Sequence, residues 1–112
     1  MSIRIKYEED YVIVLPDEEI EVYNISEIKE VLFDIIEKGN RKLIMDMSKV
    51  EYIDSSGLGV LVSVLKKVKV SEGKLVLISP KSSVKQILSL TNLDKVFNIQ
   101  DTLENAVDAV RR

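Results

Sequence analysis

The sequence predicts one α/β domain, residues 1–112, with the order β-β-α-β-α-β-α-β-α around a mixed central sheet. Three observations predict it. Short β-branched runs alternate with longer stretches whose apolar residues recur every three or four positions, the pattern of parallel crossover units. Residues that start and stop helices fall between these stretches. A chain of 112 residues, 46% hydrophobic and 31% charged, supplies one core and favours a globular fold over disorder.

Each element follows from its own residues. In "SIRIKYEEDYVIVLP", Ile3, Ile5 and Tyr7 alternate with polar residues, and Tyr11 to Leu15 is continuous and β-branched. The acidic "EED" between them suits a hairpin turn, and Pro16 with Asp17 ends the second strand. In "NISEIKEVLFDIIEKGN", Ile25, Ile28, Val31, Leu32, Ile35 and Ile36 share one helical face. Asn24 and Glu27 have capping-box spacing, and Gly39 stands where a helix closes. "RKLIMDM" reads as a buried strand, Lys42 to Met47, because apolar residues fall on both faces.

The run "SSGLGVLVSVLKKVKVSEG" carries Leu58, Leu61, Leu65 and Val68 as a stripe widened by Val60 and Val64. Its length favours a helix over a strand, and Gly73 is placed to end it. "KLVLIS" is the next strand. Pro80 is placed to start a helix with Val84, Ile87 and Leu88 inward. A short strand "VFNI" follows "TNLDK". Asp101 and Glu104 repeat the capping-box spacing ahead of Leu103, Ala106, Val107 and Val110.

Composition excludes several functions. With 16 basic and 19 acidic residues the net charge is −3, which gives no electrostatic footprint for nucleic acid. Lys66, Lys67 and Lys69 read as a solvated helix face. Cysteine and histidine are both absent, which removes disulfides, thiolates, the Ser-His-Asp triad and histidine metal ligands together. The opening "MSIRIKYEEDY" lacks the apolar core of a signal peptide, and no run approaches the roughly 18 apolar residues of a membrane span. A cytoplasmic protein with no membrane partner is the expectation.

The segment "YIDSSGLGVL" concentrates what chemistry is left. It lacks the G-x-S-x-G order of a nucleophile elbow, and no histidine can activate Ser55. Gly57 and Gly59 lack the following Lys-Ser/Thr of a phosphate loop, and no third glycine completes a dinucleotide fingerprint. No catalytic residue, cofactor or metal ligand is therefore assigned. Asp54 or Ser55 suits the cap of the second helix. Each glycine costs about 0.5–1 kcal/mol relative to alanine inside a helix, so the two suggest close approach by another backbone or an uncovered serine. Read as an approach by a partner, they predict that Gly57→Leu weakens binding more than folding.

"DMSKVEYIDSSGLGVLV" resembles the central motif of STAS domains, specifically the bacterial anti-sigma factor antagonists (anti-anti-sigma factors). The likeness continues through "KLVLISPKSSVKQILSLTNLDKVFNIQDTLENAV" and, with the two-strand start and first helix, spans nearly the whole chain. The resemblance implies that Ser55, the serine directly after Asp54, is phosphorylated by an anti-sigma factor that is also a serine kinase. It implies that the unphosphorylated form binds this partner and releases its sigma factor, while the phosphorylated form lets go. A phosphatase is then the natural resetting partner. Asp54, Ser56, Gly57, Leu58 and Gly59 complete the motif and are the implied partner-binding residues. Two other readings compete: a constitutive scaffold subunit, of a stress complex or beside a lipid transporter, in which Ser55 only caps, and a nucleotide-binding domain. The intact "DSSGLG" favours the switch over the scaffold, and the absent phosphate-loop lysine counts against the nucleotide reading.

Overall fold

The computed structural model describes residues 3–112; Met1 and Ser2, which fall within the expected domain, lie outside the described residues. The observed order is β1 Ile3–Tyr7, β2 Val12–Pro16, α1 Ile25–Glu37, β3 Lys42–Asp46, α2 Ser55–Val70, β4 Lys74–Ile78, α3 Ser82–Leu90, β5 Asn98–Gln100 and α4 Leu103–Arg111, with a 3-10 turn at Leu93–Lys95. This is the expected succession. The strands form one five-stranded sheet in sequence order. β1 runs antiparallel to β2, and β2, β3, β4 and β5 are parallel neighbours.

Sequential parallel strands joined by right-handed crossovers put their connecting helices on one face. The buried residues obey this. Val12, Val14, Leu43, Met45, Leu75 and Leu77 point to the larger cluster, where Ile28, Leu32 and Ile35 of α1, Leu61, Val64 and Val68 of α2, and Val84 and Leu88 of α3 meet them. The alternate residues Ile44, Val76 and Ile78 face the other way, onto Ala106 and Val110 of α4. The period of two along each strand therefore sorts one sheet into two clusters. Buried strands with apolar residues on both faces are the reason "KLIMD" showed no alternation.

Several boundaries differ from the sequence reading, each for a local reason. β3 stops at Asp46, whose Oδ1 accepts the Ser48 N–H at 2.9 Å and turns the chain; Met47 stays buried, its N–H donating to the Ile78 carbonyl. Asn24 is no side-chain cap. Its backbone is not extended, so its Oδ1 turns back to accept the Glu21 N–H at 3.0 Å, and its amide nitrogen donates to Glu18 Oε1 and the Glu19 carbonyl. At α4 the cap is Thr102, not Asp101: the extended Thr102 directs Oγ1 to the Asn105 N–H at 3.1 Å.

The close of α2 also differs. Gly39 ends α1 with φ +97°, the left-handed position a glycine favours. After α2 that position is held by Glu72, with φ 59°, while Gly73 donates to the Val68 carbonyl at 2.8 Å. Gly73 is small for another reason: a Cβ there would overlap the Arg41 carbonyl, lying 3.1 Å from its carbon. α3 begins at Ser82, with Lys81 rather than Pro80 at the cap position. β5 is Asn98–Gln100 because the Val96 and Phe97 N–H groups are spent on the Leu93 carbonyl in the 3-10 turn. No helix among the described residues is long and apolar enough to cross a membrane.

Candidate functional site

The site lies at the carboxyl ends of β2 and β3, where the loops into α1 and α2 run side by side. Ile20 and Ile53 form an isolated parallel bridge, with Ile20 N–H donating to the Tyr52 carbonyl at 3.0 Å and Asp54 N–H to the Ile20 carbonyl at 3.3 Å. Both isoleucines are buried and so anchor the two loops in the core. On the opposite side, Ser83 Oγ donates to the Glu51 carbonyl at 2.9 Å and Lys81 pairs with the Glu51 carboxylate at 3.0 Å. The segment ahead of α2 is thus tied to α1's entry on one flank and to α3's start on the other.

Asp54 is the N-cap of α2, in extended conformation, and its carboxylate is used twice. Oδ1 accepts the Gly57 N–H at 2.9 Å, and Oδ2 accepts the Val22 N–H at 3.1 Å. One side chain therefore closes the helix terminus and clamps the neighbouring loop against it. Ser55 follows as the first helical residue. It is exposed, and its hydroxyl has no hydrogen-bond partner among the described residues. Ser56 is half-buried.

The two glycines play opposite parts. Gly57 is buried, and a Cβ there would overlap the Ile20 carbonyl oxygen and lie 2.9 Å from Ile20 Cγ2. The backbone that approaches it belongs to the chain's own loop, not to a partner. The expectation that Gly57→Leu would spare the fold is therefore corrected, because a larger side chain must displace the bridge beside Asp54. Gly59 is exposed, and an added Cβ would meet nothing within 4 Å. Leu58 is buried in the larger cluster. Of the five residues that accompany Ser55 in the motif, Asp54, Gly57 and Leu58 build the site from beneath, while Ser56 and Gly59 reach its surface.

The loops on either side of the Asp54 clamp carry exposed residues outside Asp54–Gly59. Val22 is 59% exposed, Tyr23 90% and Tyr52 47%. The signal of Val22 and Tyr23 in the sequence was an apolar pair inside the polar loop "DEEIEVYN", ahead of the α1 periodicity, whereas Tyr52 opens the segment "YIDSSGLGVL" itself. No group of three or more His, Cys, Asp or Glu suited to a metal occurs among the described residues. What the arrangement offers chemically is an accessible hydroxyl at a helix N-terminus, where added negative charge is favoured.

Comparison with known proteins finds relatives of the same family and fold. The family model described as STAS domain matches residues 2–106. A Thermotoga maritima protein named as a candidate anti-sigma factor antagonist is 42% identical over 108 residues, covering 96% of each chain. A crystal structure of a candidate anti-sigma factor antagonist from Thermotoga maritima superposes with a TM-score of 0.93 at 40% identity, over 98% of this chain and 95% of that one. The Bacillus cell fate determinant SpoIIAA, solved in its phosphorylated form, gives 0.74 at 18% identity over 97% and 99%, a likeness of fold.

Proposed function

The chain belongs to the STAS domain family, and from that premise we propose that it is an anti-sigma factor antagonist switched by phosphorylation of Ser55. In the unphosphorylated state it binds an anti-sigma factor that is also a serine kinase, and the sigma factor is released. Phosphorylated, it lets the partner go, and a phosphatase restores it. It acts by binding, in the cytoplasm, without a cofactor.

The observation that carries this reading is the Ser55 hydroxyl, exposed and unbonded at the start of α2, on a platform that Asp54 and Gly57 hold rigid. A serine needed only as a cap would aim its oxygen at the helix; here Asp54 has that task. The phosphorylated form of SpoIIAA, which shares the fold, also supports it. Phosphate adds about −1.5 to −2 charge. An interface that fits a neutral hydroxyl must then desolvate a dianion. A loss of about 3 kcal/mol already weakens binding more than a hundredfold.

The test is incubation with candidate serine kinases of the same organism and ATP, mapping of the modified residue by mass spectrometry, and titration of both forms against the kinase. Phosphate on Ser55 and a hundredfold weaker complex are expected. Ser55→Ala should bind and resist modification. Ser55→Asp, an imperfect mimic with about half the charge of a phosphate, should bind poorly. Phosphate confined to Ser56, or equal affinity of the two forms, would refute the switch.

A further inference from the structure

A net charge of −3 conceals how unevenly the charges lie. In parallel crossover units each helix runs back against its strands, so the ends of α2 and α3 meet the starts of β4 and β5. This end of the sheet lies the length of α2 from Ser55, about 22 Å. Arg41, Lys66, Lys69 and Lys95 gather there, all exposed, and none pairs with a carboxylate among the described residues. Lys74 joins them, its Nζ donating to the Arg112 carbonyl. Glu72 and Asp94 stand among these cations and leave the patch net positive. Three large aliphatic side chains share the same end. Val70 closes α2 at 85% exposure, Leu90 closes α3 at 77%, and Val96 precedes β5 at 50%. A cavity of about 220 Å³ joins the parts, since Lys69, Lys74 and Val96 line it together with Leu65 and Val68, and α3 packs on the 3-10 turn that carries Lys95. A single exposed aliphatic side chain needs no explanation, and lysines in the last turn of a helix are favoured by its dipole. Neither accounts for three aliphatic side chains set among unpaired cations.

We propose that this end of the molecule binds the surface of an anionic lipid bilayer. Val70, Leu90 and Val96 enter the boundary between headgroups and acyl chains, while Lys66, Lys69 and Lys95 lay their stems along it and keep their charges on lipid phosphates. Unpaired lysines suit any polyanion, and the aliphatic side chains decide between them. Lipid gives such side chains an apolar layer to enter, whereas nucleic acid is held by phosphate contacts and, where single-stranded, by stacking on aromatic rings. The exposed aromatic residue at this end, Tyr7, lies across the sheet on β1. A surface of this kind lies on a bilayer without crossing it, so the lack of a spanning helix among the described residues does not bear on it. The expectation of no membrane partner drew on whole-chain charge, and the segregation of charge emerges only when the fold brings the helix ends together. Ser55 faces away from a bilayer bound in this way, which leaves its surface free. The proposal therefore stands apart from the reading of Ser55.

The experiment is co-sedimentation of the full chain with vesicles of phosphatidylcholine alone, or of phosphatidylcholine and phosphatidylglycerol in equal parts. Partition onto the anionic vesicles should exceed that onto the neutral ones by at least about tenfold at low salt, and should fall as salt is raised. Lys69→Gln combined with Lys95→Gln should lower it about 30-fold. Lys49→Gln, at the Ser55 end of the molecule, should leave it unchanged. Val70→Ser combined with Leu90→Ser should lower it about tenfold with unaltered circular dichroism, as the exposure of both residues implies. Equal partition onto the two kinds of vesicle, or none onto either, overturns the proposal without recourse to any variant. Wild-type partition by the Val70→Ser, Leu90→Ser chain overturns it as well, because charge alone would then hold the protein. A DNA duplex that binds more tightly than the anionic vesicles, and equally well to that double variant, would assign the surface to nucleic acid instead.

Discussion

At the scale of single residues, the two motif glycines separate fold from surface. Gly57 sits where the Ile20 carbonyl needs the space of a side chain. Gly57→Ala should destabilise the chain by about 1–3 kcal/mol, the usual cost of overpacking, with part of the loss appearing as a freed loop at Ile20. Gly59 has open space and lies in helical interior. Gly59→Ala should stabilise by about 0.5–1 kcal/mol through reduced chain entropy. Urea unfolding of the two variants measures both, and a gain for Gly57→Ala would contradict the packing described here. If Gly59→Ala gains stability yet binds the kinase poorly, the glycine is kept for the interface. The sequence displayed both glycines but gave no means of telling them apart. Their difference depends on Ile20, which is 37 positions from Gly57 in the chain and touches it only through tertiary structure.

At the scale of elements, the ends carry the information. Asp54 joins two elements with one carboxylate, so its removal should cost more than a cap alone, which is worth about 1 kcal/mol. Asp54→Ala should lose about 2 kcal/mol. Asp54→Asn, left with one acceptor oxygen, should lose about half of that, and hydrogen exchange at Val22 should quicken in both. Slow exchange at Val22 in Asp54→Ala would mean the clamp is not what holds the loop. A second tie lies at the far end, where Arg111 of α4 meets Asp10 in the β1–β2 turn at 2.8 and 2.9 Å and stacks over Tyr11. The Arg111 guanidinium holds the Asp10 carboxyl below its ordinary range. A depressed carboxyl contributes stability above its unfolded pKa, near 3.9, and loses it as pH falls through the folded value. The thermal midpoint of wild type should thus exceed that of Asp10→Asn at pH 7, with the gap closing as pH falls from the unfolded value through the depressed folded one. A gap that persists in acid would assign the effect to something other than this pair.

The elements were legible because each carries its period: α1 and α2 show their buried stripes, and β3 and β4 their two-sided burial. Their ends were less so. Asn24 and Asp101 have the spacing of caps, yet capping is decided by backbone angles, and Asn24 was drawn into the Glu21 turn while Thr102 took the extended conformation. The candidate site was legible as a motif, because Asp-Ser-Ser-Gly between strand and helix has few uses. Its rim was not. Val22 and Tyr23 look like ordinary loop residues until the Asp54 clamp places them beside the helix terminus.

At the scale of the whole molecule, the proposed switch requires that binding change without the fold, and the architecture keeps Ser55 apart from the core. The core clusters take in Leu58 and Leu61 of α2 but leave Ser55 outside. A phosphate on Ser55 would meet two opposing fields. The N-terminus of α2 favours it by about 0.3–1 kcal/mol at an exposed position. The Asp54 carboxylate next to it disfavours it, but that charge is already engaged by the Gly57 and Val22 N–H groups, and water screens the remainder. The balance predicts that phosphorylated protein melts within about 4 °C of the unmodified form, the shift that about 1 kcal/mol produces in a domain of this size. The small difference should shrink further as salt is raised. Calorimetry of the two forms in low and high salt checks this, alongside the hundredfold change in kinase affinity. A melting point lowered by much more than 4 °C would mean that the phosphate breaks the Asp54 clamp, and that release works by loosening the loop rather than by charge at an intact surface.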